Sequence, residues 1–195
     1  MDATFRDILK NLDVGLMGAA EARYGNFLFI GDAIYVKLSA SEKFKTRFSA
    51  RANLDTTNFV GTAAVGYRIV ADPTYTVDVI AAVRDYDVST DVALHLGKRI
   101  AIRKSTDENW LDPMVGGRVG FNLSDRWFLA GTALVGGFGM SSDFSWDVIG
   151  TIGYRFTENV QALAGYRALG VDYHNDGFKY DIVQHGPFVG FRYKF

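Results

Sequence analysis

From Phe144 to Phe156 the chain alternates without a slip. Phe144, Trp146, Val148, Gly150, Ile152, Tyr154 and Phe156 fall on one face; Ser145, Asp147, Ile149, Thr151, Gly153 and Arg155 fall on the other. A period of two is a strand. The same alternation marks nine segments: 14–24, 27–38, 57–70, 74–86, 111–123, 127–138, 144–157, 159–172 and 178–195. In 57–70, Phe59, Gly61, Ala63, Val65, Tyr67 and Ile69 oppose Thr62, Ala64, Gly66 and Arg68, and in 74–86, Tyr75, Val77, Val79, Ala81 and Val83 oppose Asp78, Ala82 and Arg84. Segment 111–123 sets Leu111, Val115, Gly117, Val119, Phe121 and Leu123 against Asp112, Met114, Gly116, Arg118, Gly120 and Asn122. Two segments are less regular. Leu28, Ile30 and Ile34 share a face with Asp32, and 127–138 is apolar on both sides.

Short connections, "YGN" (24–26), "ADPT" (71–74), "LSDRW" (123–127) and "FTEN" (156–159), read as tight turns. They alternate strictly with longer ones at 39–56, 87–110, "GMSSD" (139–143) and "YHNDGFKY" (173–180). That order predicts an all-β, up-and-down antiparallel barrel with one trimmed end and one elaborated end. The two longest loops are candidates for strand extensions, since "VALHLGKRIAIRK" (92–104) is itself half alternating. In "TFRDILKNL", Phe5, Ile8, Leu9 and Leu12 stand at helical spacing. The chain therefore reads as a single domain over 1–195, with a short helix, turn or loop in 1–13 and barrel strands in 14–195.

The polar face decides between a soluble and a membrane barrel. It holds Gly, Ala and Thr together with Glu21, Arg23, Asp32, Arg68, Asp78, Arg84, Asp112, Arg118, Asp147, Arg155 and Arg167, and very little Lys. Arg and carboxylates among small residues suit an enclosed space in which forked ion pairs satisfy one another. The opposite face is apolar in mid-strand with rings toward the ends. Tyr24, Phe121, Trp127, Tyr154, Phe156 and Phe195 lie near the short turns; Tyr35, Trp110, Phe144 and Trp146 lie toward the long loops. An apolar band between two aromatic girdles is the pattern of a transmembrane barrel. Trp146, Val148 and Ile152 are thus expected to face lipid, and Asp147 and Arg155 an ion-paired lumen. The rival is a soluble, lipocalin-like barrel with an apolar ligand cavity. It would need a hydrated outer face, which this Gly/Ala/Arg face does not resemble.

Composition agrees with interleaved faces. The 195 residues are 48% hydrophobic and 14% aromatic with 21 Gly and 3 Pro, yet mean hydropathy is only +0.02. No run of about 18 apolar residues exists for a spanning helix. Net charge is −1, which gives no reason to expect a nucleic-acid partner, and the absence of Cys excludes disulfides and thiolate metal sites. The start, "MDATFRDILKNLD", lacks the basic-then-apolar order of a signal peptide.

The segment "GPFVGFRYKF" places Val189, Phe191, Tyr193 and Phe195 on one face with Gly190 between. It resembles the C-terminal signal of bacterial outer-membrane β-barrel proteins, which implies that Gly190, Phe191, Tyr193 and Phe195 are read by the barrel-assembly machinery. With its girdles and loop asymmetry, the whole chain resembles a small barrel of the OmpA-like superfamily. "LDPMVGGRVGFNLSDRWFLAG", "GGFGMSSDFSW" and "GYRALGVDYHNDGF" are similar to a group of proteobacterial outer-membrane barrels that brings no known activity with it. The resemblance implies a bacterial outer-membrane location, lipid and lipopolysaccharide as surroundings, a monomer, no cofactor, and a structural, interaction or weak-pore role. Such barrels have even strand numbers, so nine visible strands lead to the expectation of a parent with about ten, or alternatively about eight. In a nine-strand meander, 14–24 and 178–195 run the same way. They are expected either to pair in parallel or to leave a gap.

Candidate chemistry is sparse. Some outer-membrane barrels modify lipid A, phospholipid or peptides with His and Ser or Asp at the outer rim. His174 and Asp172 at one rim, with Ser141 and Ser142 at the neighbouring one, are the catalytic candidates. No local motif frames them, so the chain is expected not to be an enzyme. His185 is read as a hydrogen-bonded lumen residue. "GGFG" (136–139) lacks the Lys-Ser/Thr and helix of a phosphate loop, and "DYDVSTD" (85–91) reads as an acidic loop rather than a defined calcium site.

Overall fold

β-Branched and aromatic residues interleaved with small ones favour extended backbone, and among the described residues of the computed structural model every regular element is a strand. The structure describes residues 12–44, 50–96, 99–175 and 178–195. The stretch expected to be helix or loop lies largely outside them. The strands are β1 (Leu12–Tyr24), β2 (Phe27–Phe44), β3 (Ala50–Ala71), β4 (Tyr75–Leu96), β5 (Arg99–Asn122), β6 (Trp127–Gly136), β7 (Phe144–Arg155), β8 (Val160–Asn175) and β9 (Phe178–Tyr193). They form one antiparallel up-and-down sheet in the order β1-β2-β3-β4-β5-β6-β7-β8-β9. The segments 39–56 and 87–110, expected to be loops with some strand extension, are mostly strand. β2 and β3 run on to Phe44 and start back at Ala50, and β4 and β5 to Leu96 and from Arg99. Among the described residues β1 and β9 are the two edges of the sheet, with no ladder between them.

Contacts gather in two units. The first comprises the described residues within 12–20, 32–44, 50–62, 85–96 and 99–111. Its buried residues include Asn58, Val60, Thr62, Tyr86, Val88 and Trp110. Tyr86 stacks on Trp110 with centroids 4.9 Å apart, and Asn109 Nδ2 donates to Asp85 Oδ1 (2.9 Å) and to the Tyr86 carbonyl (3.2 Å). Trp110 therefore corrects the girdle assignment: it is 5% exposed, on the covered face. Strand parity explains this, because 110 shares a face with the buried Asp112 and Met114.

The second unit comprises the described residues within 21–31, 63–84, 112–175 and 178–195. Ile80, Ala82, Met114 and Leu134 form its apolar core, with Ile30 and Ala64 packed against them. The two irregular segments resolve here. Leu28 and Ile30 turn to the covered side while Phe27 and Phe29 are exposed, and in β6 Phe128 and Leu134 are covered while Trp127, Leu129 and Val135 are exposed. The register is set by pairs such as Val119↔Gly131, Asp147↔Leu169 and Ala164↔Val189. The stretch "GGFG" is a turn, as glycine there suggests. Gly137 (φ 83°), Phe138 (φ 52°) and Gly139 (φ 71°) are left-handed, and the Met140 N–H donates to the Gly137 carbonyl at 3.0 Å. A side chain at 137 would strike the Ser142 backbone oxygen.

Candidate functional site

β4 places Asp78 and Arg84 on the same face as Ile80 and Ala82, and each belongs to an ion-pair cluster, one centred on Asp78 and the other on Asp147. Asp78, 1% exposed, accepts a fork from Arg68, Nε to Oδ1 at 2.8 Å and Nη2 to Oδ2 at 3.2 Å. Arg118 adds Nε and Nη2 at 3.1 and 3.0 Å. The third nitrogen of Arg118, Nη1, donates to Glu21 Oε2 at 2.6 Å, and Arg23 Nε donates to Glu21 Oε1 at 2.7 Å. The second cluster is more deeply buried. Asp147 accepts from Arg84 Nη2 at 2.5 Å and from Arg167 Nε and Nη2 at 3.1 and 2.6 Å. Parallel N–H···O bonds of this kind are the geometry Arg offers and Lys does not.

The other expected lumen residues behave differently. Asp112 is fully buried and accepts the backbone N–H of Ser142 at 3.0 Å, tying the 139–143 loop to β5. Arg155 donates to Asn122 Oδ1 at 2.7 Å and to the Asp125 carbonyl at 3.3 Å. Asp32 is half-buried, in step with Ile30 along β2.

At the long-loop end, His174 Nδ1 lies 3.0 Å from Asp143 Oδ2 and 3.2 Å from Asp172 Oδ1. The three ligand atoms are all within 4.8 Å of one another, a set that could hold a cation. The structure thus joins His174 to Asp172 and adds Asp143, which the sequence reading did not single out. Ser141 is half-buried and Ser142 has no accessible surface, so the Ser142 hydroxyl is covered as it stands. His185 corrects the lumen assignment. It pairs across to Ala168 on the exposed face and hydrogen-bonds through Nδ1 to the Tyr166 hydroxyl, Tyr166 itself being exposed. The odd-numbered residues of β9, from Val183 to Tyr193, all share that face.

Rings collect on the exposed face near the short turns. Trp127 meets Tyr154 edge-on at 4.9 Å and Tyr154 meets Phe156 at 5.0 Å; Phe27 meets Tyr67 at 5.2 Å and Tyr193 meets Phe195 at 4.9 Å. Arg126 Nη1 donates to the Tyr154 hydroxyl at 3.1 Å. Of the other rings assigned to a girdle, Tyr24, Phe121, Phe144 and Tyr35 are exposed, and Trp146 is half-covered, its indole lying over Gly170. Val189, Phe191, Tyr193 and Phe195 are all exposed. Two residues of the ion-paired face, the buried Phe128 and the exposed edge-strand Arg192, escaped the sequence reading. Phe128 and Arg192 could have been placed by parity, but their partnership with Arg155 is a tertiary fact. No protein-family model and no curated protein matches the chain.

Proposed function

We propose that this chain is an integral outer-membrane β-barrel protein of Gram-negative bacteria, with a structural, interaction or weak-pore role and a lumen filled by ion pairs. One observation carries the reading: in the second unit the mid-strand residues of the exposed face are apolar, while Asp78, Arg84, Asp147 and Arg167 are buried on the opposite face. Val148 is 48% exposed while its neighbour Asp147 is 2% exposed. Along β9 the exposed residues are Val189, Phe191, Tyr193 and Phe195. Water penalises contiguous apolar patches of this kind, and lipid does not. A soluble barrel with an apolar cavity would invert the arrangement, with Asp78, Arg84 and Asp147 on the hydrated side.

Element lengths support the reading. A tilted strand needs about 9–11 residues to cross a bilayer, and β6 and β7 have 10 and 12. β3, β4 and β5, with 22, 22 and 24 residues, would continue well past the headgroups. The rings near the short turns would sit at the periplasmic interface. Outer-membrane lipid and lipopolysaccharide would surround the band, and the β9 face ending in Phe195 would serve the assembly machinery. The OmpA-like resemblance belongs to the same proposal.

The test is refolding. The chain should require detergent and migrate faster on a gel unheated than boiled. A monomer freely soluble without detergent would overturn the membrane reading and promote the lipocalin-like one.

A further inference from the structure

On the ion-paired face of the sheet near the short turns, positive charge exceeds negative, and the surplus gathers on one ring. Phe128 of β6 faces Gly153 of β7 in the ladder, and its ring occupies the space a Gly153 side chain would need. Over that ring stand two guanidinium groups, Arg155 with Cζ 4.6 Å from the centroid and Arg192 with Cζ at 5.9 Å. A ring face attracts cations, but it does not neutralise them.

Other guanidiniums on this face share carboxylates: Arg68 and Arg118 share Asp78, and Arg84 and Arg167 share Asp147. Among the described residues, Arg155 and Arg192 have no carboxylate at ion-pair distance. Arg155 is instead held by neutral acceptors, Asn122 Oδ1 and the Ser124 and Asp125 carbonyls, which aim the guanidinium without cancelling its charge. Arg192 lies within electrostatic reach of Arg23, Arg118 and Arg155, with Glu21 the one acid among them. Beside Arg155 is a polar depression of about 360 Å³ lined by Pro73, Thr74, Asn122, Ser124 and Asp125. It is roomy enough for a small solute, and Asp125 is its single acid.

We propose that Arg155 and Arg192, mounted on Phe128, form a binding site for a small oxyanion bearing a carboxylate or phosphate group. Such a group would accept forked N–H bonds from guanidinium donors and would supply the negative charge that this part of the face lacks. The site rests on the ion-paired face of the sheet, where Arg155 is half-buried and Arg192, on the edge strand, is exposed, and not on the membrane reading, so the two can fail separately. If the chain proves soluble without detergent, the same titration is run in buffer.

The test is titration of the refolded full chain with inorganic phosphate, followed by the Arg Nε–Hε signals in NMR, for the wild type, Arg155→Gln, Arg192→Gln and the control Lys179→Gln. Saturable binding in the wild type is expected to weaken about tenfold in either Arg variant, the loss of one charged hydrogen bond, and to stay unchanged in Lys179→Gln, whose Lys is paired with Asp181 elsewhere on β9. If a Gln variant fails to fold, Arg155→Lys and Arg192→Lys keep the charge, remove the fork and should weaken binding in the same direction. Absence of saturable phosphate binding in the wild type overturns the proposal. So does equal binding in all variants.

Discussion

Replacing Asp147 by Asn tests the ion pairs of the covered face in their more deeply buried cluster. Asp147 is 2% exposed and serves two guanidiniums, Arg84 at 1% and Arg167 at 7% exposure. Each pair, at roughly 3 Å and an effective dielectric near 20, has a gross attraction of about 5 kcal/mol. Most of it offsets the desolvation of the ions. The asparagine amide keeps the shape and one accepting oxygen but removes the charge, leaving two cations that now repel. Breaking a buried pair by removing one partner costs about 3–5 kcal/mol, a large share of the roughly 5–15 kcal/mol that holds a typical domain folded. Urea unfolding in detergent micelles or lipid vesicles, read by tryptophan fluorescence, should show that loss as a lower midpoint with an unchanged slope. Adding Arg84→Met to Asp147→Asn should recover part of it, because one orphaned cation is then gone, and the double-mutant cycle should give a coupling above about 1 kcal/mol. A loss below about 1 kcal/mol for Asp147→Asn would refute the reasoning; it would mean that water reaches both guanidiniums and that this face of the sheet is hydrated rather than packed.

Two further substitutions probe the faces and the packing. Val148→Arg, one residue away on the exposed face, should cost about 2–4 kcal/mol in a bilayer, whereas a soluble protein would absorb a change at a half-exposed site within about 0.5 kcal/mol; unfolding in vesicles decides between them. Gly116→Ala should destabilise by about 1–3 kcal/mol because its Cβ would meet the Ala133 backbone carbonyl, while Gly150→Ala, with nothing within 4 Å, should be near neutral. Equal midpoints for the two alanine variants would mean that β5 and β6 are not paired in this register.

The faces were legible in the sequence because strand parity is a strict rule: once Asp147 and Arg155 are placed inside, Val148 and Ile152 follow. The same rule held where expectation departed from it. Trp110 alternates with Asp112 and Met114, and His185 with Val183 and Val189, so parity alone would have placed both correctly. The general habit of aromatics at interfaces, and of histidines in polar interiors, pointed the other way for these two. The pairing partners were not legible. That Arg84 of β4 meets Asp147 of β7 depends on how the two intervening strands, β5 and β6, bring distant positions together, and no local pattern encodes it. At the rim, His174 and Asp172 were visible as neighbours in sequence, but Asp143 joins them only because the Asp143 N–H donates to the Asp172 carbonyl (2.9 Å) and closes the β7–β8 ladder. The strand extensions of β2 to β5 were half visible, since their long polar stretches alternate weakly and resemble loops.

The edges of the sheet make a last demand. β1 and β9 end the strand order, and with an odd number of strands in a meander they run in the same direction, so a direct ladder between them would be parallel. Each edge strand uses only one side of its backbone on a neighbour, and every second N–H along it points away. In hydrocarbon each such unsatisfied group costs several kcal/mol, so in a membrane the edges must acquire partners, whereas in the described sheet they lack a shared ladder. Hydrogen exchange in detergent distinguishes the two conditions. If the edges stay apart, alternate amides of β9, and of β1 from Gly15 to Tyr24, should exchange near the rate of exposed turns, while amides of β7, paired to β6 and to β8, should be protected throughout. Uniform protection along both edges, equal to that of β7, would show that they are covered. Cross-strand NMR contacts between residues 15–24 and 183–193 would then identify a parallel closure, and their absence would point to a different strand or a second chain at each edge.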